Sequence, residues 1–237
     1  MKKTVLFLAA SLFSTIALAA VRLPNIFGDN MVLQRDKPIP IWGWANKNEK
    51  VTVQFNGQVK TVKAGKDGQW KVLLNAEKAG GPYDLLVKSS NSITLHNILM
   101  GDVWICSGQS NMEFHVNGVF NASKEIAQSA NPDIRHFYLP KDIAVTPQED
   151  IKESAWKAAG PENTGDFTAV GYFFARTLNE QLHVPIGLIH TSWGGTIVET
   201  WISREGLAGN DAFRDRAHHV RWIGRDAYRA EHQRHAR

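Results

Sequence analysis

The chain has 237 residues, 43% of them apolar, with 27 Lys and Arg against 23 Asp and Glu, a formal charge of +4. The excess sits at the ends: residues 21–203 carry 17 basic and 18 acidic side chains, and residues 204–237 carry eight Arg and five acids. The body is therefore near neutral and lacks the basic face of a nucleic-acid binder. With no His/Cys/Asp set at metal-ligand spacing and no phosphate loop, neither metal nor cofactor is expected.

In chain order, residues 1–20 come first and read as a secretory signal peptide. Lys2 and Lys3 give a positive start, Val5 to Leu18 is almost wholly apolar, and Ala17-Leu18-Ala19 supplies small residues at cleavage spacing. The apolar stretch is short for a membrane span. The expectation is an exported protein, periplasmic or extracellular, with no membrane anchor.

Residues 21–97 read as strands. The segments KPIPIWGWA, KVTVQFNGQVKTVKA, GQWKVLLNA, PYDLLVKSS and SITLHNILM alternate apolar and polar residues, with Asn56-Gly57, Asp67-Gly68 and Gly80-Gly81-Pro82 as punctuation. Asn-Gly between two alternating runs is a hairpin signal, because both turn residues must tolerate positive φ. The spacing predicts a small antiparallel β-sandwich domain.

From residue 98 to 213 the pattern changes. DVWICS is a continuous apolar run, as in a strand covered on both faces. NASKEIAQSA predicts a helix and IRHFYL a second strand. In DFTAVGYFFARTLNEQLH, the residues Val170, Phe173, Phe174, Leu178 and Leu182 fall at helical spacing, with Asp166 or Thr168 as cap. VPIGLIHTSWGG is a third buried strand ended by glycines. Alternating strands and helices mean a parallel α/β layer, and ligands of such sheets bind beyond the carboxyl ends of the strands. Two polar knots, Ser107–Asn111 and His190–Thr196, fall at such ends. Cys106 is the only cysteine and reads as a small buried hydrophobe.

Residues 214–237 differ again. Residues 204–237 contain no Lys, although residues 1–203 contain 15, and no helical or strand period holds from Arg214 on. Either the reading frame is lost near Arg214, leaving an aberrant Arg/His-rich tail, or the segment is a basic surface helix.

A serine where a strand turns into a helix gains a projecting hydroxyl and nearby backbone amides able to hold an oxyanion. By local chemistry alone a serine in such a turn is more often a helix cap, and Ser107 and Ser110 are both eligible. The block GDVWICSGQSNME, residues 101–113, resembles the first signature of the sialate O-acetylesterase family, carbohydrate esterases with an SGNH-hydrolase-like, flavodoxin-like domain. FGDNMVLQRDKPIPIWGWA, AGGPYDLLV and GYFFARTLNEQLHVPIGLIHTSWGGTIVETWIS resemble further segments of that family, so the likeness runs from about residue 21 to 213.

The resemblance implies Ser110 as nucleophile toward an acetyl ester on a sugar, with its backbone amide in the oxyanion hole. It implies Gln109 and Asn111 as turn-fixing or sugar-contacting residues, and Gly171 as a second oxyanion donor, which reads equally as a small residue where helix meets sheet. Gly194, Gly195 and Glu199 would shape the sugar pocket, although Glu199 also reads as a charge at a helix start. Trp193 and Trp201 would stack on a sugar or fill core.

The family also implies a base from a later D-x-x-H element and a glutamine from a Trp-Tyr-Gln-Gly-Glu segment. That segment is not in this sequence. D-x-x-H occurs as Asp133–His136 and Asp215–His218, a motif short enough for chance to supply. His136 falls in a predicted strand, His218 with Asp215 falls in the odd tail, His190 reads as a strand-end residue, and nothing orients His115. The expectation is a C-terminally truncated or frame-shifted member carrying the nucleophile without its partners, nearly inert on acetylated sugars. The rival readings are a sugar-binding β-module and a non-functional gene fragment.

Overall fold

The computed structural model describes residues 20–144, 147–203, 206–207 and 209–211. The expected signal peptide, apart from Ala20, and the expected tail with Asp215 and His218 lie outside the described residues.

Seven strands open the chain: β1 (Val32–Gln34), β2 (Ile39–Trp44), β3 (Lys50–Phe55), β4 (Gln58–Lys63), β5 (Gln69–Leu74), β6 (Gly80–Lys88) and β7 (Ser92–Gly108). Their alternation is what buries them. Ile39 and Ile41, then Val51, Val53 and Phe55, then Trp70, Val72 and Leu74 all point into one core. Asn56-Gly57 turns β3 into β4 with φ of 42° and 75°, the positive pair a tight hairpin requires. β5 pairs with β2 rather than with β4, so a two-stranded sheet packs over the strands β4, β3, β6 and β7. Gly80-Gly81-Pro82, expected as punctuation, forms the first three residues of β6, after the non-strand residues that follow β5. Positive φ at both glycines and two register shifts against β7 mark the irregular start of the strand.

The second half adds α1 (Ser110–Glu113), α2 (Ala122–Ala127), β8 (Asn131–Tyr138), β9 (Trp156–Ala159), α3 (Ala169–Leu182) and β10 (Ile186–Ser192). β10 lies between β7 and β8, parallel to both, and β9 closes the far edge antiparallel to β8. β7 therefore belongs to both layers. Residues Ser92 to Met100 pair with β6, and Asp102 to Gly108 pair with β10. The expected domain limit between residues 97 and 98 falls inside this one 17-residue strand. The changeover needs Gly101, where a Cβ would come within 2.0 Å of the Pro185 carbonyl oxygen. Arg35 ties the layers together through Asp102, with Nε to Oδ1 at 2.9 Å and Nη2 to Oδ2 at 3.1 Å.

Two sequence expectations change. The DVWICS strand is not covered on both faces: Trp104 is 45% exposed and Ile105 is 69% exposed. Beyond Gly101, β10 is the only described strand paired with β7, and α3 covers one face. Helix α3 buries a face rotated from the predicted one, with Phe173 and Leu178 of the predicted set partly buried against the core. Ala169, Gly171, Tyr172 and Ala175 are buried, whereas Val170, Phe174 and Leu182 are exposed. The helix approaches the sheet so closely that a Cβ on Gly171 would meet Thr168 Cγ2 at 2.6 Å and Cys106 Sγ at 2.8 Å. Small residues permit that approach, and Val170, Phe174 and Leu182 are left outward, Phe174 lying edge-on to Trp104.

Candidate active site

β7 and β10 run side by side to their carboxyl ends, where Ser192 is in register with Gly108. Both polar knots follow from there. Gly108 takes φ 143°, a conformation that β-branched or bulky residues avoid, and the chain turns through Gln109 into α1. Ser110 is the first residue of that helix and is exposed. Its hydroxyl donates to Gln109 Oε1 at 2.9 Å. The first amides of a helix have no intrahelical acceptor, which leaves those of Ser110 and Asn111 at the rim. Asn111 is exposed beside it.

The second knot lies against the first. Trp193 N donates to Gly108 O at 3.0 Å, and Gly194 N donates to Glu113 Oε2. A Cβ on Gly194 would stand 3.6 Å from Ser110 Oγ, so this glycine passes directly by the nucleophile candidate. Gly195 follows with φ 80°, in open space. Thr196 Oγ1 donates to Trp193 O at 2.7 Å and accepts from Trp201 Nε1 at 2.9 Å. Glu199 lies in the short 3-10 turn Val198–Trp201 and is half-buried. Beside this knot opens a cavity of about 530 Å³, walled by Trp193, Trp201, Thr191, Ser192, Lys141 and Ile151 among others. Ser110 is not in its wall; Gly194, next to the wall residue Trp193, is the link. Trp201 is 40% exposed and Trp193 is half-buried, so neither is core.

Gly171 is placed elsewhere. It is buried between α3 and the sheet, and its amide donates to Thr168 Oγ1 at 3.4 Å, completing the helix cap. That amide is engaged in a cap rather than turned to the rim.

Among the described residues no histidine hydrogen-bonds Ser110. His190 is fully buried, with Nε2 and Ser192 Oγ 2.5 Å apart, and its Nδ1 has no partner. His136 is buried in β8, stacked on Phe167 at 4.4 Å, with Nε2 unpartnered. Burial, with lesser repulsion from neighbouring cations and histidines, pushes His136 down to about 3 and His190 down to about 4. Both are neutral at pH 7. Burial pushes the Cys106 thiol up to about 11, so this cysteine is inert.

Two residues absent from the sequence reading join the site. Glu113 is three positions after Ser110, on the same side of α1. Its Oε1 pairs with Lys141 Nζ, and that ammonium lies 5.4 Å from the Trp193 ring centre. The i, i+3 spacing was a usable signal for Glu113. Nothing local marks Lys141, which arrives from the loop after β8.

Residues 100–224 match the family described as carbohydrate esterase, sialic acid-specific acetylesterase. Curated sialate O-acetylesterases are similar over most of the chain. The rat protein is 36% identical over 206 residues and the human one 35% over 207, each alignment covering 78% of this chain. The chain spans 38% and 39% of the lengths of these relatives. Among solved structures, a carbohydrate acetylesterase from Xanthomonas citri superposes with a TM-score of 0.79 at 42% identity, over 81% of this chain and 44% of that one. The family match spans more than half of the sequence and includes both knots, and on that ground the chain belongs to the sialic acid-specific acetylesterase family of carbohydrate esterases.

Proposed function

We propose that the protein is a carbohydrate O-acetylesterase in which Ser110 is the nucleophile. The carrying observation is the placement of the Ser110 hydroxyl, exposed on the bend between β7 and α1 and passed at close range by Gly194. Ser110 Oγ attacks the acetyl carbonyl carbon and gives its proton to a base. The tetrahedral oxyanion rests on amides at the start of α1, and its collapse expels the sugar hydroxyl with a returned proton. Water then releases acetate from the acyl-enzyme. The sugar is read as lying in the cavity beside Trp193 and Trp201, whose faces suit the apolar side of a pyranose.

The base is unassigned among the described histidines, and His218 with Asp215 is the sequence's remaining candidate. Turnover of an O-acetylated sugar and labelling by a fluorophosphonate test the reading together. Ser110→Ala is expected to abolish labelling and to remove whatever turnover the chain shows above the uncatalysed rate. A folded chain that labels equally well without Ser110 overturns it. His218→Ala decides the base: an unchanged rate removes His218 from the mechanism.

Export is proposed on the strength of Lys2, Lys3 and the apolar run to Leu18. No helix among the described residues is long and apolar enough to cross a membrane. Recovery of mature protein beginning at Ala20 or Val21 is the expected result.

A further inference from the structure

One carboxylate joins three segments around the nucleophile. Glu113 belongs to α1, one turn beyond Ser110. Its Oε2 accepts the amide of Gly194, in the turn after β10. Its Oε1 accepts from Lys141, in the loop after β8, and Lys141 lies over Trp193. Trp193 and Lys141 are both walls of the 530 Å³ cavity. The side chain of Glu113 is 25% exposed and that of Lys141 is 34% exposed, so these charge-assisted contacts are only partly shielded from water.

We propose that Glu113 is a positioning residue that fastens the Trp193–Gly194 wall of the sugar cavity to the helix carrying Ser110. It touches no reacting atom. It sets the distance between the acyl-accepting hydroxyl and the surface that would hold the sugar ring, and so selects substrates whose acetyl group and ring span that distance. Three observations support this. A Cβ on Gly194 would come within 2.6 Å of Glu113 Oε2 and stand 3.6 Å from Ser110 Oγ, so a side chain there would have to displace the carboxylate from the Gly194 amide. The hydrogen bond from Lys141, aided by the Gly194 amide, holds the Glu113 carboxyl below its ordinary value, so the acceptor is ionised at neutral pH. Lastly, the Gly194 amide is engaged by the carboxylate, which assigns it to the wall and not to the oxyanion.

The inference rests on the esterase reading of Ser110, and its test separates the two. The wild-type chain, Glu113→Gln, Glu113→Ala and Lys141→Met are compared on a mono-O-acetylated methyl glucoside and on p-nitrophenyl acetate, an ester with no sugar ring to place. Fluorophosphonate labelling of Ser110 and amide exchange of residues 192–196 are followed in parallel. Glu113→Ala is expected to raise KM for the sugar ester about tenfold with kcat less affected, to leave p-nitrophenyl acetate within about threefold, and to speed exchange at Gly194. Glu113→Gln keeps an acceptor for Gly194 and is expected to restore slow exchange and most of the sugar KM. Lys141→Met is expected to raise the sugar KM while leaving Gly194 protected. Equal losses on both esters in Glu113→Ala, or an unchanged sugar KM with Ser110 still labelled, overturn the positioning role. Absence of labelling in wild type sinks the esterase reading, and Gly194 exchange then judges the clamp by itself: no acceleration in Glu113→Ala refutes it.

Discussion

His136 and His190 show how burial decides what a residue can do. The sequence offers five histidines before the tail, and the D-x-x-H spacing makes His136 look eligible as a base. Its ring is instead enclosed in β8 against Phe167, and His190 is enclosed beside it with ring centres 5.2 Å apart. Each has a buried nitrogen without a partner, so protonation in the folded state would place a charge where no acceptor waits. The folded values, about 3 and about 4, lie below the ordinary 6.5 of the unfolded chain. As pH falls the unfolded chain therefore binds protons first. This contribution to stability is complete above about pH 6.5 and is lost as pH drops towards 4 and then 3, at up to ~1.4 kcal/mol per pH unit for each histidine. Urea midpoints at pH 7 and pH 5 should show the fall. His136→Phe, which keeps the stack on Phe167, should remove its share of the slope; a slope unchanged in that variant would clear His136 of any part in it.

Among the elements, β7 does most to place the site. Its first nine residues belong to an antiparallel layer and its last seven to a parallel one, and the site begins where it stops. The changeover at Gly101 is a backbone crossing: the carbonyl oxygen of Pro185 occupies the space a Cβ would need. Gly101→Ala should cost about 3 kcal/mol, because a backbone atom has to move and overpacking is not relieved by a rotamer change. Thermal or denaturant unfolding measures this directly, and a loss under ~0.5 kcal/mol would mean that the crossing is looser than described. The same helix-to-sheet tightness explains why the hydrophobic spacing of α3 misled. The spacing marks a helix, but the face that packs is chosen by volume, and Gly171 and Ala175 fit where Val170 and Phe174 do not.

For the whole molecule, continuity of β7 and the Arg35–Asp102 pair predict that the two layers unfold together. Trp156 adds to this, since its Nε1 donates to Ile26 O at 2.9 Å and its ring packs in the β-layer core. Guanidinium transitions followed by far-UV circular dichroism and by tryptophan fluorescence should coincide. Two separated transitions would show that the layers are independent after all. The strands of residues 21–97, the Asn56-Gly57 hairpin, the parallel layer and the two knots were legible in the sequence, because alternation, turn chemistry and apolar runs are local properties. The bend that exposes Ser110 was legible too, through a motif whose residues are contiguous, and the nucleophilic role proposed for that serine rests on the resemblance. What only the tertiary structure decided is which distant segments meet: Gly194 beside Ser110, Lys141 on Glu113, Gly171 spent on a cap, and His136 and His190 sealed from water. These depend on strand order and packing volume, which couple residues tens of positions apart and leave no local periodicity to read.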